Sequence, residues 1–343
     1  MTKVAVFGAT GYGGVELVRI LLEHPEVEIV YLGGHTTVGQ RLAEFYPHLA
    51  GAIDMEIGET DVAAAGEADL MFFALPHAVG AELVAEALEM GKQVVDFSAD
   101  YRLKSAAVYE QYYEAHPRPE LLERAVYGLP ELHREEIAAA QLTAVPGCYP
   151  TGAILALAPA AVNGLIEPDV IVDAKSGVSG AGRTPLSLTT HYPECNESVA
   201  AYKIAQHRHG PEMVQELSAL GEPVTVTFTP HLIPMNRGIL STCYGTLTRE
   251  ITLEEAVELY REFYAGEPFV RVLPAGSVPA TKHVSGSNFC DIGLAVDADA
   301  GRLIAVSAID NLVKGLSGAA VQCMNLMLGV DETAALSRYA IWP

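Results

Sequence analysis

The sequence predicts an α/β chain of two domains, a parallel sheet covered by helices followed by an α+β domain with a larger sheet. Three observations lead there. With 343 residues the chain exceeds one ordinary core, and its hydrophobic half is enough to fill two. Short apolar runs alternate with amphipathic stretches through the first part, the pattern of strands joined by crossover helices. After Pro146 the alternation gives way to one apolar helix and a series of strand-like runs.

In chain order, Val4–Phe7 is the first strand, a helix follows near Val15–Glu23, and Glu28–Leu32 is the second strand. Further strands are expected at Leu70–Ala74 and Gln93–Phe97. Between them Val79, Leu83, Val84, Ala87 and Leu88 recur at three-to-four spacing, on one face of a helix that Gly91 can stop. In the second part Ala153–Val162 is an apolar helix, and strands are expected at Val170–Ala174, Val224–Pro230, Leu240–Thr248, Phe289–Val296 and Arg302–Ile309. Leu253–Tyr264 has the spacing of a helix crossing that sheet, and Gly177–Thr190, rich in Gly, Ser and Thr, reads as a loop of the kind that carries function. The small and apolar residues of Leu312–Leu328 form a helix able to pack back on the first domain.

Composition narrows the ligand. The 21 basic residues against 43 acidic ones give a formal charge of −22 without a dense Lys/Arg cluster, which argues against nucleic acid or an anionic membrane surface and for a small soluble ligand. Five cysteines, Cys148, Cys195, Cys243, Cys290 and Cys323, are scattered without a C-x-x-C pair, so neither a disulfide framework nor a zinc site is expected, and a reducing cytoplasm fits. The first strand begins almost at Met1 with no secretion-signal pattern, and the longest apolar stretch, Ala153–Val162, is short for a bilayer.

Gly8-Ala9-Thr10-Gly11-Tyr12-Gly13-Gly14 lies directly between the first strand and an apolar helix. Gly8 permits a tight turn, Gly11 lets the backbone approach a pyrophosphate, and Gly14 allows helix and strand to pack closely, while the helix N-terminus offers N–H donors to the anion. This predicts a dinucleotide, with a ligand-free glycine turn as the rival. An acidic residue closing the second strand would hold the ribose of NAD; here Gly33-Gly34-His35-Thr36-Thr37 stands instead, which favours NADP with Thr36, Thr37 and Arg41 near the extra phosphate.

Pro146-Gly147-Cys148-Tyr149-Pro150-Thr151 leads into the apolar helix, and a thiol at a helix N-terminus is favoured as thiolate. A nucleophile needs a base or imidazolium partner, and His207-Arg208-His209-Gly210-Pro211-Glu212 is the densest histidine site in the chain. The lesser alternative for that segment is a solvated polar helix start, and a metal reading lacks a third strong ligand nearby. Asp96-Phe97-Ser98-Ala99-Asp100-Tyr101-Arg102 closes a parallel strand on the ligand side, where Arg102 could take a phosphate or simply pair with a carboxylate. Ser176-Gly177-Val178-Ser179-Gly180-Ala181-Gly182-Arg183 offers backbone N–H groups and Arg183 to a substrate carboxylate, with a plain surface loop as the alternative.

Taken in order, GATGYGG, DFSADYRL, PGCYPT, SGVSGAGR, HRHGPE and DNLVKG resemble the N-acetyl-gamma-glutamyl-phosphate reductase family over nearly the whole chain. The resemblance implies a Rossmann NADP-binding domain at 1–147, completed by a C-terminal helix within 310–343, and a glyceraldehyde-phosphate-dehydrogenase-like α+β catalytic and oligomerisation domain at 148–309. It implies NADP(H), a small acyl-phosphate substrate, no metal and a cytoplasmic homodimer or homotetramer. Carried onto this sequence, Cys148 is the nucleophile and His207 the acid/base, with His209 as the other candidate. The substrate side falls to Arg102, Ser176, Ser179, Arg183, His209 and Glu212. The cofactor side falls to Gly8, Thr10, Gly11, Tyr12, Gly13, Gly14, Thr36, Thr37, Asn311 and Lys314. Rivals are a reductase of aspartyl or aminoadipyl phosphate, an NADP-sensing module and a thiol acyltransferase; the last two leave half of the motifs without a role.

Overall fold

Short apolar runs bounded by turn residues become the strands of two sheets in the computed structural model, which describes residues 1–183, 188–337 and 339–342. These residues fall into two units, Met1–Pro146 with Leu316–Leu336, and Gly147–Gly315 with the described part of 337–343.

The first unit holds strands β1 (Thr2–Phe7), β2 (Val27–Gly33), β3 (Leu70–Phe73), β4 (Gln93–Asp96), β5 (Val126–Tyr127) and β6 (Leu142–Ala144). They form one parallel, Rossmann-like sheet in the order β2-β1-β3-β4-β6-β5. The order reverses between β1 and β3, so the ligand crevice of such a sheet lies at the loops that follow these two strands. Phe7 stacks on Phe73 with ring centroids 4.8 Å apart, and Ala5, Met71, Val84, Leu88 and Val94 share the same buried cluster. The helix Ala81–Glu89 buries Ala81, Val84, Ala85, Ala87 and Leu88, so of the five residues read as its face Val84, Ala87 and Leu88 are core, while Val79 precedes the helix and is exposed. Two strands, β5 and β6, and the helix Pro130–Ala138 were not expected, because two- and three-residue strands are too short to show a period.

The second unit is built on a seven-stranded mixed sheet. Its strands are β7 (Ile166–Ser176), β8 (Ala200–Ala201), β9 (Thr225–Leu232), β10 (Ile239–Leu247), β11 (Val270–Val272), β12 (Cys290–Asp297) and β13 (Arg302–Ile309). They lie in the order β11-β12-β13-β10-β7-β9-β8, with β7 parallel to β9, β11 parallel to β12, and the remaining pairs antiparallel. The helix Cys148–Val162 buries every residue from Tyr149 to Ala160, as expected of a helix that is apolar all round. Pro159 inside it has no N–H for the carbonyl of Leu155. The Tyr264 hydroxyl donates to that carbonyl at 2.6 Å, and Tyr260 donates to the next one, on Ala156, at 2.8 Å. Both tyrosines come from the end of the helix Leu253–Phe263, whose start is closed by a Thr252/Glu255 capping box.

The tail departs from the expected continuous helix. A π-helical turn occupies Val313–Ser317, the α-helix runs only over Gly318–Leu328, and Gly329 ends it in the left-handed conformation at φ 68°. A helix reaching into the 330s is excluded by that C-cap; residues 338 and 343 of the expected 310–343 segment lie outside the described residues. Among the described residues no helix is long and apolar enough to cross a membrane.

Candidate active site

The glycine turn of the first unit is a cradle with its interior filled and one face open. Gly8 has φ +84°, and a Cβ there would overlap the carbonyl oxygen of Ala74; one at Gly14 would overlap the carbonyl of Gly8. A Cβ at Gly11 would meet only the Gly8 oxygen, at 3.5 Å. Gly11 caps the helix Tyr12–Leu21 with no side-chain bond, leaving the first-turn N–H groups to an incoming anion. Behind it, Tyr46 holds the Thr10 carbonyl at 2.8 Å and Ser317 holds that of Gly13 at 2.8 Å. Beyond β2, Thr36 is exposed, whereas Thr37 is buried and its hydroxyl has no hydrogen-bond partner. A donor-lined turn, an orphan hydroxyl and the absence of a carboxylate from Gly33 to Thr37 fit a dinucleotide phosphate. Arg41 pairs with Asp54.

Arg102 belongs to the same unit. It is 3% exposed, and its guanidinium donates to the Phe97 carbonyl at 2.7 Å. The acids of its motif are internal braces: Asp96 accepts from the Ser98 hydroxyl at 2.6 Å, and Asp100 accepts from Tyr109 at 2.8 Å and from the Ala78 N–H at 2.9 Å. Burial, with Asp100 close by, pushes the Asp96 carboxyl up to about 7.

In the second unit, a cavity of about 620 Å³ is lined by Cys148, Ser176, Tyr202, His207, Arg208 and His209, among others. Cys148 is the first residue of its helix and half-buried, whereas Cys243, Cys290 and Cys323 are buried; burial pushes the Cys243 thiol up to about 12, which keeps it protonated. Glu212, 1% exposed in the first turn of the helix Gly210–Ala219, does not line the cavity. Its carboxylate accepts the N–H of Gly147 at 2.9 Å and so anchors the turn that presents Cys148.

The two histidines differ. His207 is boxed edge-to-face by Tyr149, Tyr202 and Phe228 at centroid distances of 5.6, 5.6 and 5.3 Å, and burial, aided by Arg208 and Lys203, lowers its pKa to about 3. Its Nδ1 accepts the backbone N–H of His209 at 3.1 Å, which leaves the proton of the neutral ring on Nε2. His209 lies against the turn that leads into Cys148: a Cβ on Gly147 would sit 2.6 Å from its Nε2.

Ser176 is buried beside the cavity, Ser179 is bonded to the Asn311 amide at 3.0 Å, and Arg183 is exposed at the edge of residues 184–187, the part of the expected Gly177–Thr190 loop that lies outside the described residues. Asn311 and Lys314, expected at the cofactor, are grouped with the second unit and are 1% and 0% exposed. Both ends of the Asn311 amide are engaged, since its oxygen also accepts from Gly238 N–H at 2.7 Å. Among the described residues no cluster of three or more His, Cys, Asp or Glu could hold a metal ion.

Residues 3–140 match the family described as semialdehyde dehydrogenase, NAD binding domain, and residues 148–311 match semialdehyde dehydrogenase, dimerisation domain. The chain belongs to the semialdehyde dehydrogenase family. Its relatives include N-acetyl-gamma-glutamyl-phosphate reductases of Geobacter metallireducens, 54% identical with all of both chains covered, and of Symbiobacterium thermophilum, 53% identical over 97% of each. Solved structures with the same fold include aspartate semialdehyde dehydrogenase II of Vibrio cholerae, with a TM-score of 0.73 at 18% identity over 95% of this chain and 98% of that one. The Candida albicans aspartate semialdehyde dehydrogenase with NADP matches at a TM-score of 0.71 and 16% identity, over 96% and 98%.

Within this semialdehyde dehydrogenase fold, several site residues escaped the sequence reading. Tyr149 and Tyr202, joined hydroxyl to hydroxyl at 3.1 Å, wall the cavity, and burial raises the pKa of both. Tyr149 stood inside the cysteine motif, but nothing local to Tyr202 marks it. Arg237 and Asp310, ion-paired at 3.0 Å, lie 73 positions apart, a distance at which no sequence pattern links them.

Proposed function

We propose that this chain is an NADPH-dependent reductase of N-acetyl-gamma-glutamyl phosphate, forming N-acetylglutamate 5-semialdehyde through a thioester on Cys148. The observation that carries the reading is the cavity that gathers a half-buried cysteine at a helix N-terminus, two histidines and the Ser176–Gly180 loop. The 54% identity to a reductase of that name supports the substrate.

In this mechanism the Cys148 sulfur attacks the acyl carbon, the C–S bond forms, and the C–O bond to phosphate breaks, releasing inorganic phosphate. Held by the glycine turn and Thr37, NADPH would supply the hydride that reduces the thioester carbon. Collapse of the resulting thiohemiacetal passes its hydroxyl proton back to His209, breaks the C–S bond, frees the semialdehyde and restores the thiolate. His209 is the acid/base: it takes the thiol proton and returns it to the carbonyl oxygen during reduction, for which its place against Gly147 suits it. His207, the expected acid/base, is instead a neutral ring whose Nδ1 orients His209, because burial and that bond leave it no ready site for another proton. The Ser176–Arg183 loop takes the substrate's carboxylate, and Arg102 the departing phosphate. The glycine turn, Thr10, Tyr12, Thr36 and Thr37 hold the dinucleotide, with the orphan Thr37 hydroxyl turned to the extra phosphate. Asn311 acts on the cofactor side through the loop it holds, and Lys314 through the turn it occupies. Residues 1–147 with the tail helix form the cofactor domain and 148–309 the catalytic and oligomerisation domain of a cytoplasmic homodimer or homotetramer.

The test is the reverse reaction. NADP reduction with N-acetylglutamate semialdehyde and phosphate should exceed that with aspartate semialdehyde by at least about a hundredfold, the discrimination that polar groups of a site can supply. Activity on aspartate semialdehyde alone would overturn the substrate.

A further inference from the structure

We propose that Asp310 is a positioning residue whose carboxylate sets, in one rigid frame, both the backbone packed beneath Cys148 and the loop that faces the acyl substrate. This deepens the acyl-phosphate reading and rests on it for the kinetic part of its test.

Asp310 follows β13 and has no exposed surface. A buried carboxylate is costly unless every lone pair is engaged, and this one is engaged on three sides. The Arg237 guanidinium grips it through Nε at 3.0 Å and Nη2 at 3.0 Å, and Gly286 N–H donates at 2.7 Å. The N–H groups of Leu312 and Val313 donate at 2.9 and 3.2 Å, which fixes the entry to the π-turn. The Asp310 carbonyl then takes the N–H of Gly315 at 3.0 Å, the five-residue reach of a π-bond.

That turn brings Gly315 against the nucleophile: a Cβ there would lie 2.9 Å from Cys148 Cβ and 3.3 Å from Ile309 Cδ1. Isolated π-turns concentrate at functional sites, and this one supplies close backbone contact that a regular helical turn would place elsewhere. On its other side the carboxylate reaches the substrate loop. Arg237 sits in the Met235–Gly238 segment, whose carbonyls at Gly238, Met235 and Asn236 accept the N–H groups of Gly177, Val178 and Ser179 at 2.9, 2.9 and 3.1 Å. The neighbouring Asn311 closes the frame through Gly238 and Ser179. One buried anion therefore relates the position of the sulfur to that of the loop, the geometry on which a near-attack conformation depends.

The test compares Asp310→Asn, Arg237→Lys and Gly315→Ala with the parent protein. Two readouts are used: reverse-reaction kinetics, and the pH profile of Cys148 alkylation by iodoacetamide followed by peptide mass spectrometry. Asp310→Asn and Gly315→Ala should lower kcat about ten- to a hundredfold, the scale of a small misplacement of reacting groups. Both should raise the pH midpoint of Cys148 alkylation as the sulfur leaves its place at the helix N-terminus. Arg237→Lys, which keeps the charge and loses the fork, should fall between. Parental kcat and alkylation in Asp310→Asn and Gly315→Ala would overturn the proposal. Should Asp310→Asn unfold, Arg237→Lys decides, because it keeps a cation at the buried carboxylate and removes only the fork that grips it; parental kcat and alkylation there would overturn the proposal. If the parent shows no turnover with the semialdehyde while the alkylation profiles still shift, the substrate reading fails and the positioning role stands.

Discussion

The glycine turn of the first unit and the Cys148 cavity of the second are built in opposite ways. Seven consecutive residues, Gly8 to Gly14, make the turn, and its shape is enforced by overlaps within that stretch and with Ala74. The cavity draws Cys148, His207 and His209, and the Ser176–Gly180 loop from separate stretches of the chain, and Arg237 and Asp310, which pair 73 positions apart, come from two more. A local device should fail locally when altered, whereas an assembled one should respond to changes far along the chain.

The largest effect should come from the one residue the assembled site cannot replace. Cys148→Ser should reduce phosphate-dependent NADP reduction by on the order of a thousandfold or more, while NADP still binds, as fluorescence titration would measure. Loss of NADP binding in that variant would erase the separation of the two devices.

Next, Gly14→Ala puts a Cβ into the Gly8 carbonyl. Overpacking of this kind costs about 1–3 kcal/mol, and here it should appear as weaker NADP binding and a lower melting temperature of the first unit, with Cys148 alkylation unchanged.

The histidines sharpen the description of the assembled site. His209→Asn should slow turnover about a hundredfold, the range of lost acid/base catalysis. His207→Asn keeps an acceptor where Nδ1 now receives the His209 N–H, so a loss of about tenfold or less, below the range of lost acid/base catalysis, is expected. Since burial lowers the His207 pKa to about 3, its replacement should leave the neutral limb of the pH–rate profile in place. A reversed ranking would return the acid/base role to His207.

The effect most remote from turnover lies in the first unit alone. Burial and Asp100 push the Asp96 carboxyl from 3.8 up to about 7, so between those values the folded chain keeps a proton that the unfolded chain has released. Stability should therefore fall as pH rises through that window and stay level below it. Asp96→Asn should flatten the decline in thermal melts; an unchanged slope would assign it to other groups.

Sequence and structure divide along the same line. The strands of the first sheet near the glycine turn, Val84, Ala87 and Leu88 on the Ala81–Glu89 face, the turn itself and the cysteine at its helix start were legible, because each depends on residues within a few positions of one another. Very short strands such as β5 and β8 were not, since two residues carry no period. The reach of Tyr264 to the carbonyl that Pro159 leaves open, the burial of Glu212 beneath Gly147, and the union of Asp310 with Arg237 are long-range facts. The sequence by itself determined which residue types carry the chemistry and where each local turn lies. Only the tertiary structure decided that the His209 ring lies against Gly147, and that the buried Asp310 carboxylate joins Arg237 while its carbonyl takes the N–H of Gly315. Hydrogen bonds and packing between segments far apart in the chain are set by how the strands order in the sheet, and that order leaves no local mark on the residues it brings together.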